Sequence, residues 1–289
     1  MTPALSIHSP ETRAKLVAHA QESIARGSKS FALASRLFDK RTRERAWLLY
    51  SWCRKCDDLA DGQEHGGALS TTHDPHAALA HIHDLTARAL AGETTGDPAF
   101  DALGLVAAEC AIPHKYALDL VEGFAMDADG WHPRTEADLL KYCYHVAGTV
   151  GCMMAVIMGV DPADEETMKR ACDLGLAFQL ANIARDVGED AAAGRCYIPA
   201  EWLGGTAPSA AHTRRLASLA ESYEASARIG ARLLPFRARW AVLAAAGIYG
   251  DIARDVAKRG EAALRNRVVT SGWAKLGWVV RAWGHAFAK

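Results

Sequence analysis

Apolar residues recur every three to four positions over ten stretches of this chain: 11–26, 40–61, 74–91, 98–110, 114–129, 136–159, 164–191, 210–232, 236–259 and 271–287. That period puts them on one face of a helix. Short segments rich in Gly, Pro and Asp separate the stretches. Asp161-Pro162 is one, a stop followed by a fresh helix start. No alternating apolar run bounded by hairpin turns appears. The pattern therefore predicts an all-α fold, with long helices around a central active-site cavity. No linker-like break separates two halves, so a single domain over residues 1–289 is expected. Residues 62–75 and 193–210 are expected to be loops, the second able to close over a site. The run from Val146 to Val160 is the most apolar, but it is interrupted by Gly148, Gly151 and Gly159. It reads as a buried helix, too short to span a bilayer.

Two polar interruptions stand out, about 130 residues apart. The first, YSWCRKCDDLAD, carries Tyr50, Arg54, Asp57 and Asp61. The second, QLANIARDVGED, carries Gln179, Asn182, Arg185, Asp186 and Asp190. In each, two aspartates stand four residues apart, so on a helix they share a face. Like charges at that spacing destabilise a helix, and Asp is a poor helix former. Both segments are also preceded by apolar residues, so their helices must be largely packed, where uncompensated charge is costly. Mg2+ gives them a purpose: it takes oxygen ligands and is commonly held by one or two carboxylates plus substrate phosphates. Asp57 and Asp61, with Asn182, Asp186 and Asp190, are the candidate metal ligands, and Mn2+ is a candidate substitute. Arg54 and Arg185 can hold phosphate oxygens with planar forks.

These segments resemble the squalene/phytoene synthase family, and the resemblance covers about residues 20–270. GSKSF at Gly27–Phe31 is similar to the family's substrate flap. Tyr142–Gly151 is similar to its central helix. Asn182–Pro199 is similar to its second aspartate motif and the following loop; Tyr249 and Arg267-Val268 also have counterparts. The resemblance implies an isoprenoid synthase-type helical fold. It also implies head-to-head condensation of two geranylgeranyl diphosphates, through a cyclopropylcarbinyl diphosphate, to phytoene and diphosphate in carotenoid biosynthesis. Tyr50, Arg54, Asp57, Asp61, Tyr142, Gln179, Arg185, Asp186, Asp190 and Tyr249 are then catalytic candidates. Ser28, Lys29, Ser30, Phe31, Tyr50, Arg54, Val146, Gln179, Asn182, Arg185 and Tyr249 would contact substrate. Asp127 stands at a family-like position, with a structural role equally open. Gly27 departs from the His of several thirty-carbon synthases. Small residues at Ala32 and Ser35, where a bulky side chain could shorten a tunnel, lean towards a longer substrate; Ser35→Phe, if Ser35 lines that tunnel, is expected to favour shorter substrates. Without a strand–GxGxxG–helix fingerprint, no NADPH is expected.

A net charge of -1 gives no global signal for nucleic acid. Seven cysteines, an odd number, and no N-terminal apolar leader point to free thiols in a cytoplasmic protein. Cys53-x-x-Cys56 lacks a second pair, so it reads as two small hydrophobes on a helix. His73, His76, His81 and His83 read as a solvated loop and helix start. The C-terminal WAKLGWVVRAWGHAFAK fits a packed terminal helix, favoured here, or a peripheral membrane surface on the inner face of the membrane. Surface binding would suit lipid-like substrates and hand-over of product to a desaturase. Three rival readings stay open: a squalene-type enzyme using farnesyl diphosphate (squalene, dehydrosqualene or presqualene product), a catalytically silent assembly subunit, and a head-to-tail chain elongator or terpene cyclase.

Overall fold

The computed structural model describes residues 9–62 and 74–287. In chain order the helices are α1 Pro10–Gly27, α2 Lys29–Ala34, a 3-10 turn Ser35–Leu37, α3 Lys40–Ala60, α4 Pro75–Leu90, α5 Pro98–Cys110 and α6 His114–Ala128. Then come α7 Glu136–Cys143, a π-helical segment Tyr144–Gly148, α8 Thr149–Ile157, α9 Glu165–Ala192, α10 Ala200–Leu203, α11 Ala210–Ala231, α12 Phe236–Arg259, α13 Glu261–Arg265 and α14 Gly272–Phe287. No strand occurs among the described residues. The all-α expectation holds, and the ten periodic stretches coincide with the ten long helical runs. Most of the loop expected at 62–75, with His73, lies outside the described residues.

Local chemistry starts these helices. Ser9-Pro10, Asp74-Pro75 and Asp97-Pro98 each pair a side-chain cap with proline at the first helical position. Thr135 and Asp138 form a reciprocal capping box at α7. The four short elements α2, 3-10, α10 and α13 escaped the periodicity because one turn shows no period.

The helices group into two compact units, residues 1–128 with 156–162, and residues 129–155 with 163–289. In the first, α1, α3, α4, α5 and α6 pack around Ile24, Leu48, Leu49, Trp52, Ile82, Phe100 and Leu103, all buried. A charged clasp ties α1, α3 and α5. Arg13 donates to Glu109 (2.6 Å) and Glu44 (2.7 Å), and Arg45 donates to Glu109 (2.9 Å).

In the second unit α9 is central, touching α7, the π segment, α11, α12 and α13. The π segment approaches α9 at Gly175, where a Cβ would stand 2.2 Å from the Ala147 carbonyl oxygen. Only glycine admits that approach. The sequence predicted one regular helix over 136–159. Instead the π segment inserts between α7 and α8, and the continuous Glu136–Ile157 run, 22 residues, is long and apolar enough to cross a membrane by length and composition. Half of its apolar window is buried within the fold, in keeping with the buried helix expected from the sequence.

The clasp has a pH consequence. Burial pushes the Glu109 carboxyl up, but the hydrogen bonds and charge of Arg13 and Arg45 outweigh it and hold it below its ordinary value near 4.5. A carboxylate with a lowered folded pKa adds stability above the unfolded value and loses it as pH falls through the folded one. Glu109→Gln should therefore cost about 1–3 kcal/mol near pH 7. In urea titrations the gap from wild type should close below about pH 4; a gap independent of pH would show that the ion pairs contribute nothing.

Candidate active site

Both acidic segments sit in the last turns of their helices. Asp57 and Asp58 close α3, with Asp61 as its C-cap; Glu189 and Asp190 close α9, with Asp186 one turn further in. Neither helix has a basic residue in its last turn. The helix dipole presents negative charge there, so each carboxylate is unfavourable by about 0.3–1 kcal/mol. Two helices with the wrong sign of charge at the same end call for cations from elsewhere.

On α3, Tyr50, Arg54, Asp57 and Asp61 form one stripe at i, i+4, i+7 and i+11. Asp57 is exposed to solvent, yet protein atoms crowd around it. That burial pushes its carboxyl up to about 7; Arg54 pulls it down, while Asp61, Asp58 and Asp127 push it further up. Asp127 on α6 thus belongs to this electrostatic group. Arg54 ion-pairs with the buried Asp58. Its Nε is buried and, among the described residues, has no hydrogen-bond partner. Such an orphaned donor normally has an acceptor, and a phosphate oxygen fits it.

Tyr50 stacks obliquely on Phe31, with centroids 5.6 Å apart. Its hydroxyl lies so close to Gly27 that an added Cβ would be 2.4 Å away. Ser28 caps α2, its Oγ accepting from Phe31 N–H at 3.2 Å. The side chains of Lys29 and Ser30 lie outside the described structure. Ser35 does not line a tunnel: it is fully buried, accepts from Trp47 Nε1 (2.9 Å) and donates to the Ala32 carbonyl (2.9 Å). The small residue there is fixed by that bonding, not by substrate length.

On α9 the charge is answered differently. Arg185 grips Asp186 with two hydrogen bonds, 2.7 and 2.5 Å. Arg267 adds contacts at 3.0 and 3.3 Å to Asp186 and 3.3 Å to Glu189. Arg195 lies 3.8 Å from Asp190. The fork of Arg185, assigned from sequence to phosphate, is filled by its own neighbour, so an incoming ligand must exchange partners with this pair. Among the described residues no three His, Cys, Asp or Glu side chains cluster closely enough to hold a metal by themselves. Mg2+ does not need a full protein cage, because phosphate and water complete its shell. The accessible, mutually repelling carboxylates of α3 fit a divalent cation; Asp186 fits one after losing an arginine.

Gln179 and Asn182 are half-buried on α9, and Val146 is half-buried in the π segment. Tyr249 stacks on Phe178 at 4.0 Å, and burial raises its hydroxyl pKa while Arg185 lowers it. Tyr142 differs from expectation. It is 4 % exposed and its ring stacks with Trp131 (5.6 Å) and Tyr197 (4.9 Å), so it is packed among aromatic neighbours. The half-buried Tyr144, two residues on, opens the π segment and stands edge-on to His145. The sequence reading missed it, and π-helical turns often mark functional sites. The histidines of α4 are exposed at its start and outer face, and burial holds Cys53 and Cys56 protonated.

The profile of the squalene/phytoene synthase family matches residues 24–274. The chain belongs to the squalene/phytoene synthase family. It is 44% identical over 284 residues to a phytoene synthase of Pseudescherichia vulneris, covering 93% of this chain and 91% of that one. It is 45% identical over 289 residues to a 15-cis-phytoene synthase of Pantoea ananas, covering 94% and 92%. Among solved structures it resembles a dehydrosqualene synthase determined with a ligand, with TM-score 0.84, 29% identity, and coverage of 96% of this chain and 99% of that one.

Three substitutions probe this family site. Gly27→Ala should leave the unfolding midpoint nearly unchanged, since the Tyr50 hydroxyl can swing away, yet lower turnover about tenfold or more. Normal kinetics would remove Tyr50 from the site. Tyr144→Phe should lower turnover more than Tyr142→Phe, whose ring stack stays intact; the reverse order in steady-state assays would restore Tyr142.

Proposed function

We propose that this chain joins two geranylgeranyl diphosphates head to head, through a cyclopropylcarbinyl diphosphate, to give phytoene and two diphosphates. The observation that carries the proposal is the α3 stripe, where accessible Asp57 and Asp61 stand beside the orphaned Nε of Arg54. Relatives named phytoene synthase support the forty-carbon substrate. Mg2+, or Mn2+ in its place, would be held by Asp57, Asp61, Asn182, Asp186 and Asp190, and supplies Lewis-acid stabilisation of the leaving diphosphate.

The chain's own residues do the rest. Arg54 gives its free Nε to a diphosphate oxygen while Asp58 orients the guanidinium. Arg185 and Arg267 release Asp186 and take up phosphate charge as forks. Tyr50, Phe31, Tyr249 and Phe178 offer aromatic surface that favours cationic carbon and excludes water, which would trap the cation as an alcohol. Tyr144 is a candidate to orient the rearranging cation. The proposal requires no NADPH, because proton loss ends the reaction. Seven free cysteines support a cytoplasmic location. The apolar product suits direct hand-over to a desaturase.

The likeness to a dehydrosqualene synthase favours farnesyl diphosphate as the second reading. Purified protein, Mg2+ and either diphosphate, followed by mass analysis of extracted hydrocarbon, separates the two. A forty-carbon product from geranylgeranyl diphosphate is expected. A thirty-carbon product alone would move the chain to the squalene-type branch, and no hydrocarbon from either would favour a silent subunit. Asp57→Ala and Asp190→Ala should each lower turnover by more than the roughly 100-fold typical of losing a metal's outer-shell partner. Near-normal activity in either would remove that carboxylate from the metal site.

A further inference from the structure

From Gly247 to Arg254, about two turns, α12 is gripped by both α11 and α14. From α11 comes the buried Glu224, which accepts from Arg228 Nε at 2.8 Å and from Arg254 Nη1 at 3.2 Å. From α14 comes Trp278, whose Nε1 donates to Asp251. Arg254 closes the chain of contacts by donating to Asp251 at 2.9 Å. Two glycines let these neighbours in. A Cβ at Gly250 would stand 2.1 Å from the Glu224 carboxylate, and one at Gly247 would stand 2.1 Å from the Trp278 ring. Glycine inside a helix weakens it, and here it does so in return for close approach on two sides. α14 docks by the edge that holds Trp278, Ala282 and Ala286, in keeping with the packed terminal helix expected from the sequence. Its opposite stripe of Trp273, Leu276, Val280 and Trp283 is exposed.

Tyr249 stands between those two glycines, and its ring stacks on Phe178 of α9 at 4.0 Å. Buried ion pairs add little stability over apolar packing of the same volume, but they can fix register. Here the register is single. Advancing α12 by one residue along its helical path, a rise of about 1.5 Å, would bring Tyr249 or Asp251 to the place of Gly250 against Glu224. It would also bring Ala246 or Ile248 against the Trp278 ring. Either move sets a side chain where no Cβ fits, and it draws Arg254 away from Glu224. We propose that Glu224 and Arg254 are positioning residues: their ion pair fixes the register of α12 and so holds the Tyr249 ring where cationic charge develops. This rests on the reading of Tyr249 as aromatic surface for the cation, and it does not depend on which diphosphate the enzyme uses. A ring that serves the developing cation acts in the transition state, so its displacement lowers kcat and spares KM.

The test is a double-mutant cycle on the full chain, read by steady-state release of diphosphate from geranylgeranyl or farnesyl diphosphate with Mg2+. Its corners are wild type, Tyr249→Leu, Glu224→Leu with Arg254→Met, and all three changes together. Apolar replacement of a buried ion pair leaves stability nearly level, so the unfolding midpoint should hold. The Glu224–Arg254 variant should lose about tenfold or more in kcat, with KM kept within about twofold. In the Tyr249→Leu background the same pair of changes should cost less than about twofold further, because the ring it positions is gone. If the pair variant does not fold, Glu224→Gln, which keeps the size and removes the charge, takes its place in the cycle with the same pattern expected. Normal kcat in the folded variant, a raised KM in place of a lowered kcat, or losses that multiply when all changes are combined would each overturn the proposal. A Tyr249→Leu enzyme with normal kcat would remove Tyr249 itself from the site, and the proposal with it.

Discussion

Carboxylates at the C-terminal ends of helices are the constraint to which the site answers. The dipole of α3 and that of α9 each place negative charge where Asp57, Asp61 and Asp190 already stand, with Asp186 one turn further in. Such an arrangement persists only with positive charge nearby. On α3 the compensation is partial: Arg54 serves Asp58, and Asp57 is left with a carboxyl raised to about 7 by burial despite its nearby cation. On α9 it is complete, because Arg185 and Arg267 close on Asp186. One segment therefore keeps negative charge that its own cation does not fully answer, while on the other two arginines answer it.

That pairing reaches beyond α9. Arg267 follows α13, which itself packs on α9, so opening its pair with Asp186 and Glu189 loosens the link between the acidic segment and the chain leading into α14. Strong packing elsewhere keeps the change local. α9 is held on several sides, and its approach to the π segment at Gly175 leaves no room for a methyl group, so α9 cannot slide without breaking backbone contact.

The aromatic residues show how packing sorts chemically equivalent side chains. Tyr142 and Tyr144 are two residues apart and indistinguishable in type. Trp131 and Tyr197 stack with the first, which is buried, while the second, in the π-helical turn, is half-buried. Ser35 makes the same point for small residues: its size looked like space for substrate, but its hydroxyl joins Trp47 to the Ala32 carbonyl in a filled core.

The sequence by itself determined what is local. Periodicity and capping act over three to five residues, so the ten long helices, their Ser-Pro and Asp-Pro starts, and the shared faces of the aspartates could be read directly. Family membership was legible for the same reason, in short contiguous motifs. Tertiary structure decided which charges are answered and which surfaces stay open. Asp186 and Arg267 are 81 residues apart in the chain, and Tyr142 meets Tyr197 across a loop. The stripe of α14 has the same period as a buried one. Whether such a face meets protein or solvent depends on how distant helices fill space, which no local pattern encodes.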